Sequence, residues 1–398
     1  MRGSSKIKLK QIDFNGSSGL RQTPPKDDKK SMSVIYDKIL KPIFFAFDPE
    51  VMHHFFNKVG EGLGRFGFTR AIVRMSCRPV DDEILHTEIA GIKLNNPLGV
   101  GAGFDKEGRI IHTLDAIGFG FAEVGTITGQ ASPGNKKPRL WRLPEDRALA
   151  VNYGLLSTGA DAVKERFANY KRNSPWPIPV GISVAKSNLP NLSGQTGLDD
   201  LLSAYQKLEQ FASYITVNVS CPNTGDGEQY CKDPIMYREL LSMLDAQHPT
   251  KPIFFKLSPD LSQDRYLEIM HDTDRYAWAK GFITSNLTHD RTDLKSKNLS
   301  QATTGGVSGP YLRKLSDEVL AFMYRNGRQR YQFIGLGGID SVEDAYRKIL
   351  LGASAIQLVT SLIYNGPLWP SQLLRGLASR LREDGFKNIK EAVGVDNK

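Results

Sequence analysis

The order of apolar and polar residues along the chain changes character after residue 77. Beyond that point, short apolar runs alternate with longer amphipathic stretches, and we count eight such runs. They begin near Leu98, Phe121, Val180, Ile215, Ile253, Phe282, Phe333 and Ala355. Eight strands joined by helical crossovers predict an α/β fold, the (β/α)8 TIM barrel. A doubly wound sheet is the alternative, but it usually has fewer strands and a Gly-rich loop after the first one.

The segment directly before the first run predicts a hairpin. It spans Leu85–Leu94 and carries Ala90 and Gly91 at its centre, where they form a turn. Because it precedes the first barrel strand, we expect this hairpin to plug the bottom of the barrel.

Residues 32–76 predict two short helices. The second begins at Asp48-Pro49-Glu50, where Asp is a good N-cap, Pro suits the first helical position and Glu suits the helix dipole. Apolar positions then recur from Met52 to Phe66 at nearly helical spacing. The phenylalanines of these helices include Phe44, Phe45, Phe47, Phe55 and Phe56. They either pack the helices onto the barrel or form an exposed apolar patch, which marks a membrane or ligand site.

Length and charge divide the chain into three parts. Its 398 residues suit one barrel, which needs roughly 250 residues, plus an extension. We therefore predict a disordered basic leader or linker over 1–31, a helical domain over 32–76 and a barrel over 77–398. The leader holds eight basic and three acidic residues of a chain whose net charge is +9. It is either a solvated tail or a segment attracted to an anionic membrane surface.

Several classes of protein are disfavoured by composition. The three cysteines, Cys77, Cys221 and Cys231, make neither a disulfide framework nor a zinc-site spacing, so we expect no metal. No basic stripe alternates with aromatic residues, so we expect no nucleic-acid partner. No run of about 18 apolar residues occurs, so we expect no membrane-spanning helix.

Polar and glycine residues follow nearly every predicted strand. In a TIM barrel these C-terminal strand ends meet at one rim, where the active site lies. The sequence places there the segments 101–106, 125–126, 218–224, 285–286 and 337–338, together with Lys256 and Thr360. The sequence therefore predicts a single polar site at this rim.

A loop after the sixth strand, 304–309, predicts a phosphate site. Its glycines precede a helix near Leu312, and such turns present backbone N–H groups to phosphate. A Gly-rich loop alone can equally be an ordinary turn, but this one precedes strands seven and eight, where barrels bind phosphate. Lys106 and Lys256 are either solvated rim lysines or cations that stabilise a ligand gaining negative charge, such as a reduced flavin.

These motifs, in this order, resemble the dihydroorotate dehydrogenases. The segments that carry the resemblance are GAGFDK, RLPED, NVSCPNT, IFFKLSPDL, TTGGVSG and GLGGI, and it covers Val34 to the C-terminus. The helices with Asp48-Pro49-Glu50 and His53 resemble the class 2 enzymes, which dock on a membrane and reduce a quinone. The resemblance implies oxidation of dihydroorotate to orotate in pyrimidine biosynthesis, FMN as hydride acceptor, a quinone as final acceptor and a place at the mitochondrial inner membrane.

The resemblance also implies roles for particular residues. Cys221 would be the catalytic base, although class 2 enzymes usually have Ser there and class 1 enzymes have Cys. The substrate would contact Lys106, Asn152, Tyr153, Gly154, Asn218, Asn223 and Asn286. The flavin would contact Ala102, Gly103, Lys106, Thr126, Ser183, Asn218, Lys256, Ser285, Ser308, Gly309, Gly337, Gly338, Val359 and Thr360. His53, Phe56 and Arg142 would line the quinone tunnel.

Four positions depart from the family pattern. Val151 stands where a substrate-binding Asn is usual, and Asn152 follows it. Ser183 stands in place of a flavin-contacting Asn, Leu287 in place of a substrate-contacting Thr, and Val359 in place of a Tyr near the quinone. These changes affect the detailed contacts more than the reaction.

Three alternatives stay open from the sequence. A class 1-like enzyme passing electrons to fumarate or NAD is favoured by Cys221 and opposed by the helices and His53. The second is a non-catalytic phosphate-binding barrel, and the third is another FMN barrel oxidoreductase that acts on a different pyrimidine.

Overall fold

The computed structural model describes residues 36–173, 175–221, 223–224 and 229–397. The predicted basic leader, 1–31, lies outside these residues, as does the start of the predicted helical region. Among the described residues, no helix is both long and apolar enough to cross a bilayer.

The strands of the described chain fall into one barrel and two small antiparallel sheets. They are β1 (Thr87–Ile89), β2 (Ile92–Leu94), β3 (Leu98–Val100), β4 (Phe121–Thr128), β5 (Leu140–Leu143), β6 (Ala148–Val151), β7 (Val180–Ala185), β8 (Tyr214–Asn218), β9 (Ile253–Leu257), β10 (Ala279–Thr284), β11 (Gly306–Ser308), β12 (Gln332–Leu336) and β13 (Ala353–Leu358). The barrel strands are parallel and close in the order β3, β4, β7, β8, β9, β10, β12, β13. All eight predicted runs form barrel strands, so the predicted TIM barrel is confirmed.

The α-helices either cover the barrel or precede it. They are α1 (Lys41–Phe45), α2 (Pro49–Arg65), α3 (Gly67–Cys77), α4 (Ile111–Ile117), α5 (Ala160–Asn173), α6 (Gly194–Leu208), α7 (Pro234–Asp245), α8 (Gln263–Thr273), α9 (Arg313–Gly327), α10 (Val342–Leu350), α11 (Thr360–Asn365), α12 (Trp369–Glu383) and α13 (Ile389–Ala392). The strands read as nearly continuous apolar runs because helices cover the outside and side chains fill the inside.

The predicted hairpin lies at the bottom of the barrel. β1 and β2 pair antiparallel, and the turn between them places Ala90 and Gly91 at φ +49° and +82°. Ile89 and Leu94 pack against barrel residues that include Phe121 and Tyr214. The hairpin therefore covers the bottom of the barrel, as predicted.

A three-stranded sheet that the sequence did not predict lies beside the C-terminal strand ends. β6 pairs antiparallel with both β5 and β11. The segment 304–309, predicted to be a loop, thus contributes a strand at Gly306–Ser308. Its glycines hid this strand, because glycine has low strand propensity. Gly306 is needed here, since a Cβ would lie 2.5 Å from that of Leu287.

The N-terminal region contains more helices than the two that we predicted. A single π-helical turn, Tyr36–Leu40, leads into α1, and the following region is split into α2 and α3. The split occurs at Phe66, whose backbone is extended at φ −112° and ψ 141°. α3 ends at Cys77, one residue beyond the predicted boundary of the helical domain. The division of the chain into three domains stays a prediction.

Helix α2 packs closely on the barrel through two glycines. A Cβ added at Gly60 would lie 2.8 Å from a methyl group of Ile110, and one at Gly64 would lie 2.9 Å from Thr113 Oγ1. Thr113 also donates a hydrogen bond of 2.6 Å to the Gly60 carbonyl oxygen. These contacts bring the first turns of α2, and His53 with them, to the mouth of the barrel.

Candidate active site

One cavity lies at the C-terminal ends of the barrel strands. Its lining draws on β4, β8, β9, β12 and β13, on the residues that follow β3 and β10, and on the three-stranded sheet. The predicted site residues that line it are His53, Ala102, Gly103, Lys106, Thr126, Tyr153, Gly154, Asn218, Cys221, Asn223, Lys256, Ser285, Asn286, Ser308, Gly309, Gly337, Gly338, Val359 and Thr360. Residues that are far apart in sequence thus share one chamber, as expected for a barrel rim.

Cys221 is the only cysteine of the described chain that borders this cavity, and its side chain is partly exposed. Its loop is fixed from two sides, since Asn218 Nδ2 donates to Thr126 Oγ1 at 3.1 Å and Asn286 Nδ2 donates to the Ser220 carbonyl at 3.2 Å. By contrast, burial raises the pKa of both Cys77 and Cys231 to about 11. Of these three thiols, only that of Cys221 is therefore partly exposed and lies at the cavity.

Lys256 is enclosed in the floor of the cavity. Its side chain is 6% exposed, and it makes no hydrogen bond to any described residue. Burial lowers the pKa of Lys256, while the nearby Glu123 and Cys221 act in the opposite direction. A buried ammonium without an acceptor is costly, so this site fits a ligand that brings negative charge or an acceptor oxygen.

Lys106 lies at the side of the cavity against the N-terminal helices. Its Nζ is 3.3 Å from His53 Nε2 and 3.9 Å from the centre of the Tyr153 ring. Burial lowers the pKa of Lys106 to about 8, although the carboxylate of Glu50 opposes the shift. Burial, followed by the charges of Lys106 and His54, holds the pKa of His53 well below its usual value. His53 is therefore neutral near pH 7 and can accept a hydrogen bond from Lys106.

Asn223 presents a free acceptor to the cavity. Its Nδ2 donates to the Val151 carbonyl at 2.9 Å, whereas its buried Oδ1 has no partner among the described residues. Its own carbonyl accepts a hydrogen bond of 2.9 Å from Asn135 Nδ2. A buried, fixed amide with one unused oxygen is suited to binding an N–H group of a ligand.

The Gly-rich segments form the kind of backbone site that binds phosphate. Gly309, Gly337 and Gly338 have φ angles of +113°, +93° and +78°, and their N–H groups donate to no described residue. Ser308 Oγ lies 2.7 Å from Thr360 Oγ1, at the start of α11. These donors and the Lys256 ammonium fit the phosphate and the ring of a flavin mononucleotide such as FMN.

Four predicted site residues lie outside the cavity lining. Asn152 is turned away, since its Oδ1 accepts from Asn135 and its Nδ2 donates to Thr304, and Val151 lines the cavity instead. Ser183 is buried behind the lining, where its Oγ lies 2.9 Å from Thr126 Oγ1. The structure therefore does not bring Asn152 into the cavity lining, and its contact with the substrate stays a prediction.

Two residues predicted for the quinone tunnel lie at the N-terminal helices. Phe56 is part of α2, and Arg142 of β5 contacts the end of α1. The Phe56 ring packs edge-on against Phe44 with 4.8 Å between centroids. Arg142 donates to the Phe45 and Phe47 carbonyls and stacks on the Phe45 ring. Of the three predicted tunnel residues, the structure brings only His53 to the cavity itself.

Two features of the site escaped sequence reasoning. Gln357 lines the cavity from inside the barrel, although it looks like a routine polar residue within a strand. Glu50 forms a buried ion pair with Arg139, whose Nη2 lies 2.7 Å from its Oε1. The only local signal for Glu50 is its place after Asp48-Pro49, and the helix dipole alone accounts for an acidic residue there. Partners 89 residues apart cannot be paired from one sequence.

Comparison with known proteins agrees with this geometry. A family model described as dihydroorotate dehydrogenase matches residues 84–381. A relative from Nostoc punctiforme, named dihydroorotate dehydrogenase (quinone), is 37% identical over 375 residues, which are 92% of this chain and 99% of the relative. A relative of the same name from Mycolicibacterium paratuberculosis is 35% identical over 356 residues, covering 89% of this chain and 94% of its own.

Solved structures agree as well. A crystal structure of DHODH from Eimeria tenella in complex with ferulenol matches with a TM-score of 0.76 and 27% identity, over 88% of this chain and 96% of that one. The ligand-free form from the same organism matches with a TM-score of 0.75 and 28% identity, over 83% and 99%. Since the family model spans well over half of its residues, the chain belongs to the dihydroorotate dehydrogenase family.

Proposed function

We propose that this protein oxidises dihydroorotate to orotate at a membrane surface, with Cys221 as the base, and passes the electrons through FMN to a quinone. The single observation that carries the proposal is the composition of one cavity. It combines a partly exposed thiol, two enclosed lysines and three glycine N–H groups that have no partner among the described residues. A phosphate-binding barrel without catalysis has no use for the thiol.

FMN, when bound, supplies the acceptor for the hydride that leaves C6 of dihydroorotate. The chain supplies the proton chemistry, because Cys221 takes the C5 proton. An unperturbed thiol has a pKa of about 8.5, so its thiolate forms far more readily than a serine alkoxide. Asn218, Asn223 and Asn286 hold the substrate ring against Cys221, and Lys106 attracts its carboxylate.

The wall of the cavity toward the N-terminal helices supports a path for a quinone. Leu140, Leu149 and Ile363 line it, and Phe45 of α1 packs on the same apolar cluster. His53 completes this wall as a neutral group. A long apolar molecule can follow such a surface from lipid toward the flavin edge, with Phe56 and Arg142 farther out along the way.

The outer faces of α2 and α3 support a membrane contact. The exposed apolar side chains of these helices and of Phe66 between them include Phe55, Phe68, Ile72 and Met75, with Phe68 and Met75 at 70% and 72% exposure. Basic residues, Lys58, Arg65, Arg70 and Arg74, lie on the same helices. An apolar face with basic neighbours binds an interface that contains anionic lipid. The mitochondrial inner membrane is our proposed location, on the class 2 resemblance, and subcellular fractionation of the full chain tests it.

An acceptor assay tests the proposal against its rivals. We expect a yellow protein whose flavin is bleached by dihydroorotate and recovers its colour with a soluble quinone, but not with fumarate or NAD. Reoxidation by fumarate or NAD would make it a class 1-like enzyme. Bleaching by a different dihydropyrimidine instead would change the substrate, and a colourless protein that binds only inorganic phosphate would end the enzymatic proposal.

A further inference from the structure

A carboxylate lies inside the barrel where the reaction does not use it. Glu123, on β4, is fully buried, with 0% exposure. Its Oε2 accepts hydrogen bonds from Tyr214 Oη at 3.2 Å, Thr216 Oγ1 at 2.9 Å and Gln357 Nε2 at 3.0 Å. These three donors come from β8 and β13, so the carboxylate ties strands on different sides of the barrel together.

This network lies below the cavity and contacts its floor. Gln357 lines the cavity, and its Oε1 is buried without a donor among the described residues. The bond to Glu123 fixes the amide, so Nε2 faces the carboxylate and Oε1 faces away. Glu123 also acts on Lys256, because the carboxylate opposes the effect of burial on that lysine. The titratable groups that act on the pKa of Lys256 include Glu123 of β4 and the Cys221 thiol, which follows β8.

We propose that Glu123 is a positioning residue that keeps Lys256 an ammonium beneath the flavin and thereby sets the reduction potential of the bound FMN. The inference rests on the proposed contact between Lys256 and the flavin. The physical reason is the cost of burying a charge, because an enclosed ammonium needs a counter-charge. Here the counter-charge is the Glu123 carboxylate, which three hydrogen bonds keep in place. With the cation maintained, negative charge gained by the ring on reduction is stabilised at every working pH.

The test is the reduction potential of the bound FMN from pH 6 to 9 in Glu123→Gln. The substitution keeps shape and removes charge. Without the carboxylate the pKa of Lys256 falls further, so the lysine becomes neutral in the oxidised protein and takes up a proton on reduction. The reduction equilibrium then gains an extra pH dependence approaching tenfold per pH unit, which is about 30 mV for a two-electron couple. All proteins in the series also carry Cys221→Ala, so that the thiol adds no titration.

Parallel curves for Glu123→Gln and the parent protein, even with a constant offset, would overturn the inference. An offset alone means that the carboxylate acts directly on the flavin and not through Lys256. Thr216→Val is the matched control, because it removes one hydrogen bond from Glu123 and keeps the charge. We expect its curve to be parallel to that of the parent.

Two further variants keep the test decisive if Glu123→Gln fails to fold or if the role of Lys256 is itself in question. Glu123→Asp withdraws the charge from Lys256 by one methylene, and we expect its extra pH dependence to begin at a higher pH than in Glu123→Gln. Glu123→Asp replaces Glu123→Gln in the test if the latter does not fold or loses FMN. A plot of its reduction potential against pH that is parallel to the parent's would likewise overturn the inference. Lys256→Met combined with Glu123→Gln should lose the extra pH dependence. If Lys256→Met alone leaves the potential and the FMN affinity unchanged, the proposed contact between Lys256 and the flavin fails instead.

Discussion

At the mouth of the barrel, Lys256 and Asn223 are 6% and 7% exposed, whereas on the N-terminal helices Phe68 and Met75 are 70% and 72% exposed. One region buries its polar side chains and the other exposes its apolar ones. Both arrangements cost free energy in water unless a partner compensates for them. The comparison teaches that each region lacks a partner within the described chain, and it fits our proposal that the mouth binds a charged, planar ligand and the helices bind an apolar surface.

The two regions are joined through a buried ion pair. Glu50 of α2 and Arg139, at the start of β5, are 5% and 7% exposed. Arg139 also donates to the Pro133 and Asn135 carbonyls, and Asn135 in turn holds Asn223. The helix that carries the exposed face is thus connected by hydrogen bonds to Asn223 in the cavity lining.

The largest effect is expected where the chemistry lies. Cys221→Ala removes the proposed base, so the rate of flavin reduction by dihydroorotate should fall by about two to four orders of magnitude while FMN stays bound. Anaerobic stopped-flow absorbance measures this rate. Cys231→Ala is the matched control, because this thiol is buried away from the cavity, and its rate should stay near normal. Near-normal reduction in Cys221→Ala would remove Cys221 from the role.

The ion pair between the regions gives the next largest effect. Glu50→Gln leaves Arg139 buried without its counter-charge, which should lower the free energy of unfolding by about 3–5 kcal/mol in urea at pH 7. Glu61→Gln is the control, since Glu61 pairs with Arg109 at the surface, and it should cost about 0–1 kcal/mol. Equal losses of unfolding free energy in Glu50→Gln and Glu61→Gln would contradict the view that the buried ion pair joins the two regions.

The same pair predicts a dependence on pH. Burial alone would raise the pKa of Glu50, but the hydrogen bonds and charge of Arg139 outweigh it and hold the pKa below its usual value. The unfolded chain therefore takes up the proton first as the pH falls. The difference between the native protein and Glu50→Gln should be fully present at neutral pH and shrink below about pH 4. A difference that grows in acid would contradict this sign.

The exposed face should have a smaller effect, confined to membrane binding. Phe68→Glu combined with Met75→Glu should weaken binding to vesicles with anionic lipid by roughly tenfold to a hundredfold, since full burial of such a side chain contributes about 1.5–3 kcal/mol. Vesicle sedimentation measures this, while flavin reduction by dihydroorotate stays unchanged. Ile235→Glu on α7 is the control, because Ile235 is equally exposed, at 70%, but lies elsewhere on the barrel. An equal loss of vesicle binding in Ile235→Glu would show that the exposed face of α3 is not the membrane contact.

The smallest effect concerns Lys106, where the two regions meet. With a pKa of about 8, Lys106 loses its charge above that pH, so the dissociation constant of orotate should rise by up to tenfold per pH unit. Spectral titration in Cys221→Ala measures it without interference from the thiol. Lys106→Met should bind weakly at every pH and show no such rise. A constant affinity up to pH 9.5 in the parent would contradict the role of Lys106.

The sequence predicted the barrel well and the contacts across it poorly. Runs such as 180–185 and 253–257 became strands because local apolar patterning decides burial in a parallel sheet. Motifs at strand ends, such as the one holding Asn218 and Cys221, reached the cavity because barrel topology brings all these ends together. Local pattern and topology were sufficient for these residues.

Direction of side chains and pairing at long range were not predictable in this way. Asn152 points away because Asn135 and Thr304 bind its amide, and neither contact has a local signal. The strand Gly306–Ser308 depends on its partner β6 rather than on its own residues. The helix break at Phe66 was hidden by apolar spacing that continues across it.

A crystal structure of the full chain with FMN and orotate tests the central claim most directly. We predict a flavin across the mouth of the barrel, its phosphate on the N–H groups of Gly309 and Gly338, Lys256 against its ring, and C5 of orotate facing the sulfur of Cys221. A mouth closed by protein side chains, or orotate bound away from Cys221, would contradict the account.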